Sequence, residues 1–284
     1  MEKNYSDQEL KQLHDTLYDI VAEIKRVCDK CGIAYFITGG TAIGAYFWEG
    51  IIPWDDDVDL GMTRRNYEKF LQVAPDELGE DYYLQWAHTD EHVPFYFAKV
   101  RKRHTLFCEN QFKSVDMHQG IFVDIFPFDQ IPESHSLEMF QYKLMNFFNG
   151  CMIAKEIWQY DRFGKCEVEE PRRISWISCL VIRLFTCLPK RMLFGLVKWS
   201  QTLFNRSAHV YCKNVATPTE RLKVEEAEHP QLLKLGPLMV SAPADLEAYL
   251  HAHYPVLKKD IPEEQRINHR PDHLVFDTRI QNQD

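Results

Sequence analysis

The sequence predicts an α+β protein: a mixed β-sheet flanked by helices, with a helical insertion or second lobe. Three observations lead there. Short β-prone runs (Tyr35–Thr38, Val58–Leu60, Tyr82–Trp86, Phe95–Arg101, Thr105–Cys108 and Gly120–Phe126) are interspersed with helical stretches. A long amphipathic stretch opens the chain, and from Ser134 to about Arg206 the chain becomes rich in Phe, Leu, Met, Trp and Cys with few strand or turn signals.

The elements follow in order. Ser6-x-x-Glu9 is a capping-box signature, and Leu10, Leu13, Leu17, Ile20, Ile24 and Val27 recur at helical spacing until Gly32 offers a stop. Tyr35 to Thr38 reads as a strand, Gly39-Gly40-Thr41 as a turn, and the run from Ala42 to Phe47 as a helix start. The Asp-rich run after it ends in a strand, and Arg65 to Ala74 suggests a helix ended by Pro75. Near the C-terminus, Gly236 to Val240 reads as a short strand, and Pro243 and Ala244 open a helix through Leu246, Tyr249 and Leu250. This divides the chain into an N-terminal helix packed on the core (1–32), a catalytic core (33–132), a helical amphipathic lobe (133–210) and a C-terminal segment completing the domain (211–284).

With 284 residues, 45% of them hydrophobic, the chain can bury a sizeable core, and its net charge of −9 leaves no basic face for nucleic acid. DNA and RNA are therefore not expected as substrates. The scattered cysteines and the polar start Met1-Glu2-Lys3-Asn4 lead us to expect the cytoplasm as the compartment. Cys28-x-x-Cys31 lacks a second pair to complete a zinc site and reads as core or partly exposed thiols.

The chemistry concentrates in Trp54-Asp55-Asp56-Asp57-Val58-Asp59-Leu60, four carboxylates in five positions downstream of a glycine pair. On a strand, Asp57 and Asp59 project from one face while Val58 and Leu60 enter the core. Two converging carboxylates repel, and a hard divalent cation such as Mg²⁺ or Mn²⁺ removes that cost. Asp124, the one charge in the run Gly120 to Phe126, needs a partner if buried, and a metal supplies one. The reading is a metal site of Asp57, Asp59 and Asp124, faced by a turn of Gly39, Gly40 and Thr41 whose backbone N–H groups suit a phosphate. Lys99, Arg101 and Arg103 share a face by period-two alternation. The first two are expected to hold a diphosphate, whereas Arg103 also fits a charged edge strand. His118 and Gln119, just before the Asp124 strand, are expected near substrate. Asp55 fits a turn-forming residue, and Asp56 points opposite to its neighbours.

This order of strand, Gly-Gly, helix, Asp-x-Asp strand and later lone Asp resembles the nucleotidyltransferase fold of the polymerase β type. Within it, Gly39-Gly40-Thr41, the run Ile52 to Asp59, Arg65-Asn66-Tyr67 and Gly120 to Pro127 resemble the LicD family of phosphocholine transferases. The likeness is carried by residues from about Ile33 to Pro132 and continues weakly at Pro243–Leu250, Tyr254 and Pro262–His269. It implies a metal-dependent transfer of phosphocholine from CDP-choline, or of a related group from another CDP-alcohol, to a sugar hydroxyl of a cell-surface glycan or glycolipid. It also places Arg65 near the site. Two other readings stay open: a nucleotidyltransferase or a CDP-ribitol or CDP-glycerol phosphotransferase, and a non-catalytic metal-binding or membrane-surface protein.

In the middle of the chain, Ile174 to Ile182 is almost wholly apolar. Arg183, Arg191 and Lys198 interrupt the stretch well short of the roughly 20 residues a bilayer span needs. Trp176, Phe185, Arg191, Phe194, Lys198 and Trp199 form an amphipathic set that fits either peripheral contact at the inner face of the cytoplasmic membrane or burial within the protein.

Overall fold

The computed structural model describes residues 5–161, 183–207, 209–266 and 268–279. Helix α1 (Asp7–Cys31) begins at the expected capping box, with Ser6 and Glu9 satisfying each other's backbone N–H groups. It ends at Gly32, whose φ of 60° is the left-handed conformation that glycine adopts without steric cost. Its apolar stripe, Leu13, Leu17, Ile20, Val21, Ile24 and Val27, is buried.

Strand β1 (Phe36–Ile37), helix α2 (Gly39–Trp48), strand β2 (Asp59–Thr63) and helix α3 (Arg64–Glu77) follow. They lead to β3 (Tyr82–Gln85), β4 (Ala98–Lys102), β5 (Leu106–Cys108) and β6 (Phe122–Gln130). The main sheet has the order β1-β2-β6-β4-β3. β2 runs parallel to β6 and its other pairs are antiparallel, so the sheet is mixed as expected. Leu60, Leu84, Val100, Val123 and Ile125 point to one face, where they join the buried stripe of α1 and Phe70 of α3 in a single core.

Helices α4 (His135–Asp161) and α5 (Lys190–Gln201) pack on each other. Between them lies a second cluster of Met145, Phe148, Cys151, Met152, Leu193 and Val197, sealed toward the sheet by Tyr96, Phe97 and Phe126. Strand β7 (Tyr211–Lys213) extends the sheet beside the end of β6, and β8 (Leu222–Lys223) pairs with β7. Helix α6 (Val224–Glu228), the hairpin of β9 (Gln231–Leu235) and β10 (Leu238–Ala242), and helix α7 (Leu246–His253) then return to the first core through Ala227, Leu235, Val240, Leu246 and Tyr249. The final strand β11 (His273–Val275) pairs with β5.

Two local expectations are corrected. Pro75 lies inside α3 rather than ending it, because its missing N–H falls in the last turn and costs one bond there. Gly236 and Pro237 form the turn of the β9–β10 hairpin rather than the start of a strand, with Gly236 at φ 59°. Cys28 and Cys31 are free thiols on α1.

Phe185 packs on Phe147 and Phe148, and Phe194 on Trp86, so part of the amphipathic set is internal, while Trp199 and Met192 stay exposed. Trp176 and the apolar run 174–182 lie outside the described residues. Among the described residues, no helix is long and apolar enough to cross a membrane.

Candidate functional site

Four strands place a polar row across the face of the sheet opposite the apolar core. Asp59 on β2 is the register partner of Asp124 on β6, Asp124 of Lys99 on β4, and Lys99 of Gln85 on β3. Asp57, two residues before Asp59, shares its side of the chain, since Val58 and Leu60 are fully buried in the core. The alternation read from the sequence therefore brings Asp57, Asp59 and Asp124 to one surface.

These carboxylates feel one another. Burial raises the Asp59 carboxyl well above the usual carboxylate range, and the charges of Asp57, Asp124 and Asp55 add to it. Asp124 is pushed up to about 7, first by burial and then by Glu109 and Asp57, against the opposing pull of Lys99. Asp55 rises to about 8 through burial, Asp57 and Asp56. Asp57 is raised by burial and by Asp56. Among the described residues the buried Asp124 Oδ1 accepts no hydrogen bond, and it forms an ion pair with the ammonium of Lys99 3.2 Å away. A crowd of raised carboxyls with an unsatisfied oxygen fits a divalent cation, which neutralises the repulsion and completes the coordination.

The glycine turn faces this group. Gly39 and Gly40 open α2, so the first-turn N–H groups, which have no partner within the helix, belong to them and to Thr41. Gly39 takes φ 56°, and a Cβ there would stand 2.9 Å from Asp59 Oδ2; a Cβ on Gly40 would stand 3.0 Å from Asp55 Oδ2. The backbone can approach the acids this closely only because both residues lack a side chain. Thr41 Oγ1 accepts from the Asp59 backbone N–H at 2.8 Å, and Thr38 N–H donates to Asp59 O at 3.1 Å, locking the turn to the strand. Behind it, Thr38 Oγ1 donates to Glu220 at 2.7 Å, and the Tyr249 hydroxyl bonds the same carboxylate at 2.5 Å. The turn is thus braced by α7.

The predicted cations divide. Lys99 is buried between Asp124 and Glu109, with Glu109 Oε2 at 3.3 Å and the Phe122 ring face 3.3 Å from its ammonium. Arg101 is wholly buried, donating to Gln85, to Gly120 O at 2.6 Å and to Glu109 at 3.4 Å. It holds neighbouring segments rather than an exposed diphosphate. Arg103 donates to Tyr82 O at 3.0 Å and lies over the Tyr83 ring, away from the acids.

Other expectations are relocated. His118 stacks on Tyr83 at the β3 edge, and burial together with Arg101 and Arg103 pushes its pKa down to about 4. Its ring nitrogen accepts from Gly120 N–H at 3.1 Å, a turn-forming task. Gln119 donates to the carbonyls of Phe112 and Val115, closing the loop before β6. Arg65 is exposed at the start of α3, beyond the other end of β2 from Asp59. There it lines a cavity of about 350 Å³ with Arg64, Gln130 and Glu228. The neighbouring Arg64 turns inward to pair with Asp129, its Nε 2.9 Å from Oδ1.

Asp56, expected to point opposite to its neighbours, instead keeps its buried carboxyl close enough to that of Asp57 to raise it. Its Oδ2 accepts from the Tyr5 hydroxyl at 2.7 Å and from the His269 backbone N–H at 2.9 Å. Asp56, Asp57 and His269 each bring one ligand atom within 4.8 Å of the others, a second grouping able to hold a metal, with Asp57 common to both. Asp55 Oδ1 accepts from Asp56 N–H at 3.2 Å. Glu109 and Glu220 left no signal by which the sequence singled them out, while His269 entered only as a member of the weakly similar stretch Pro262–His269, and Tyr249 as one of Pro243–Leu250 and an apolar position of a helix.

Residues 32–170 match the family model described as LicD/FKTN/FKRP, nucleotidyltransferase domain. Over 107 residues the chain is 34% identical to the lipopolysaccharide cholinephosphotransferase LicD of Haemophilus influenzae, a match covering 37% of this chain and 39% of that protein. It is 28% identical over 144 residues to an uncharacterized protein of Rickettsia typhi, covering 51% and 43% of the two chains. A shorter match, 35% over 60 residues, links it to an uncharacterized protein of Rickettsia prowazekii, covering 21% and 23%. The chain thus spans less than half the length of each of these relatives.

Proposed function

Because residues 32–170 match the LicD/FKTN/FKRP family model, we propose that the protein is a metal-dependent transferase of that family. It moves phosphocholine from CDP-choline to a sugar hydroxyl of a cell-surface glycan precursor such as lipopolysaccharide. The observation that carries this reading is the close approach of the Gly39–Gly40 turn to the carboxylates of Asp59 and Asp55, with no room for a side chain between them, beside Asp124.

Asp57, Asp59 and Asp124 would hold Mg²⁺ or Mn²⁺. Bound there, the cation supplies charge neutralisation for the acids and for the donor diphosphate. The N–H groups of the glycine turn bind the diphosphate and fix its orientation. The acceptor oxygen attacks the phosphorus that carries choline, the bond from that phosphorus to the bridging diphosphate oxygen breaks, and CMP leaves. Asp124 takes the acceptor's proton. The reaction is placed in the cytoplasm, at the inner face of the membrane where lipid-linked glycan precursors are found.

The test is product analysis with choline-labelled CDP-choline, Mg²⁺ and a lipid-linked glycan acceptor. Labelled phosphocholine on the glycan together with free CMP supports the proposal. Nucleotide on the acceptor, or turnover of CDP-ribitol or CDP-glycerol in place of CDP-choline, refutes it in favour of another group transferred at the same acids.

A further inference from the structure

The loop that carries the acids also carries an aromatic corner that neither hydrophobic core absorbs. Trp48, the last residue of α2, meets Trp54 edge to face, with ring centroids 5.6 Å apart and planes at 83°. Phe47 continues the corner at 5.6 Å from Trp48. Both tryptophans are half-buried, and neither belongs to the two core clusters.

Two cations of the chain already rest on these rings. The Arg266 guanidinium carbon lies 4.4 Å from the Trp54 centroid, and the Lys259 ammonium lies 5.7 Å from that of Trp48. An aromatic face attracts a cation through its ring quadrupole, and the attraction grows when the cation is desolvated. Arg266 remains partly exposed on its outer side.

Position adds to chemistry. Trp54 is the peptide neighbour of Asp55, whose Oδ2 stands against the backbone of Gly40. The corner therefore begins one residue from an acid that stands beside the turn assigned to the diphosphate. In a choline phosphate, two carbons separate the phosphate from a quaternary ammonium. That group has no N–H to donate, so aromatic faces are its natural partners.

We propose that Trp48 and Trp54 seat the quaternary ammonium of the transferred group, and that Arg266 is a resident cation competing for the Trp54 face. The assignment rests on the reading of the acids and glycine turn as the donor diphosphate site. It makes the two tryptophans specificity-determining residues: they favour a permanently cationic alcohol over a neutral one such as glycerol.

The test is equilibrium binding, by titration calorimetry in Mg²⁺, of CDP, CDP-choline and CDP-glycerol to the full chain and to Trp54→Leu, Trp48→Leu and Arg266→Ala. CDP-choline should bind the parent protein about tenfold more tightly than CDP-glycerol. Trp54→Leu should erase that preference while leaving CDP and CDP-glycerol affinity in place. Arg266→Ala, a change at a partly exposed side chain, should tighten CDP-choline alone. Equal loss for all three ligands in Trp54→Leu, or unchanged or weaker CDP-choline binding in Arg266→Ala, overturns the seat. Binding of CDP with no preference for choline in the parent protein overturns the seat alone, whereas absence of CDP binding removes the diphosphate reading and the seat with it.

Discussion

Lys99 and Asp124 are register partners on adjacent antiparallel strands, with the ammonium 3.2 Å from Asp124 Oδ1 and Glu109 on the other side of the same ammonium. The cation is buried and serves two anions, so its removal strands Asp124 and leaves Glu109 to Arg101. Lys99→Met should cost about 3–5 kcal/mol of stability. It should also move the Asp124 carboxyl upward, because Lys99 is what lowers it now. Urea unfolding checks the first effect. A shift of the acidic limb of the pH–rate profile to higher pH checks the second, and an unmoved limb would exclude Asp124 as the proton acceptor.

Asp59→Asn removes one of several mutually repelling charges, and burial already penalises its ionised form. The variant should be more stable than the parent in the absence of metal, by about 1–2 kcal/mol, or about 2–4 °C in Tm. It should lose metal-dependent transfer by about a thousandfold. Differential scanning calorimetry in chelator, paired with the product assay, separates the two effects. Retained activity would remove Asp59 from its assigned role.

The acids also set a pH dependence opposite in sign to that of ordinary salt-bridged carboxylates. In the unfolded chain Asp titrates near 3.9, whereas folded Asp124 and Asp55 titrate at about 7 and about 8. Between these values the folded state holds more protons than the unfolded one, so stability falls as pH rises through that window. Metal binding requires the deprotonated acids. Mn²⁺ should therefore raise Tm more at about pH 8 than at about pH 5. A chelated protein whose Tm climbs over this range would contradict the electrostatics described.

Gly39→Ala confronts both the left-handed φ and the Asp59 carboxylate at 2.9 Å. A loss of about 1–2 kcal/mol is expected, with donor binding weakened further because the turn must withdraw from the acids. Gly150→Ala is the matched control. It lies inside α4, an added methyl there meets nothing within 4 Å, and it should stabilise by about 0.5–1 kcal/mol. Thermal unfolding of both variants, with calorimetric CDP titration, distinguishes the outcomes.

What could be read without coordinates was whatever has a local cause. The cap at Ser6, the stop at Gly32 and the stripe between them follow from contacts a few residues apart. The shared face of Asp57, Asp59 and Asp124 follows from strand alternation once Val58 and Leu60 are assigned to the core. Alternation says which side a residue faces, and nothing about what covers it. Arg101 was correctly aligned with Lys99, yet Gln85, Gly120 and Glu109 enclose it. Arg65 was expected beside the acids, whereas β2 separates it from them, and its neighbour Arg64 makes the structural ion pair. The brace behind the glycine turn was invisible, since Thr38 and Tyr249 meet across 211 positions of sequence.

Asp56 receives one bond from Tyr5 and another from His269, the latter spanning 213 positions. Contacts of such long sequence separation are slow to form and close late. On a translating ribosome the aspartate loop must wait, incompletely held, until His269 has emerged. That second bond is then withheld from nascent chains, and a pull on either the Tyr5 or the His269 segment would strain the clasp on Asp56.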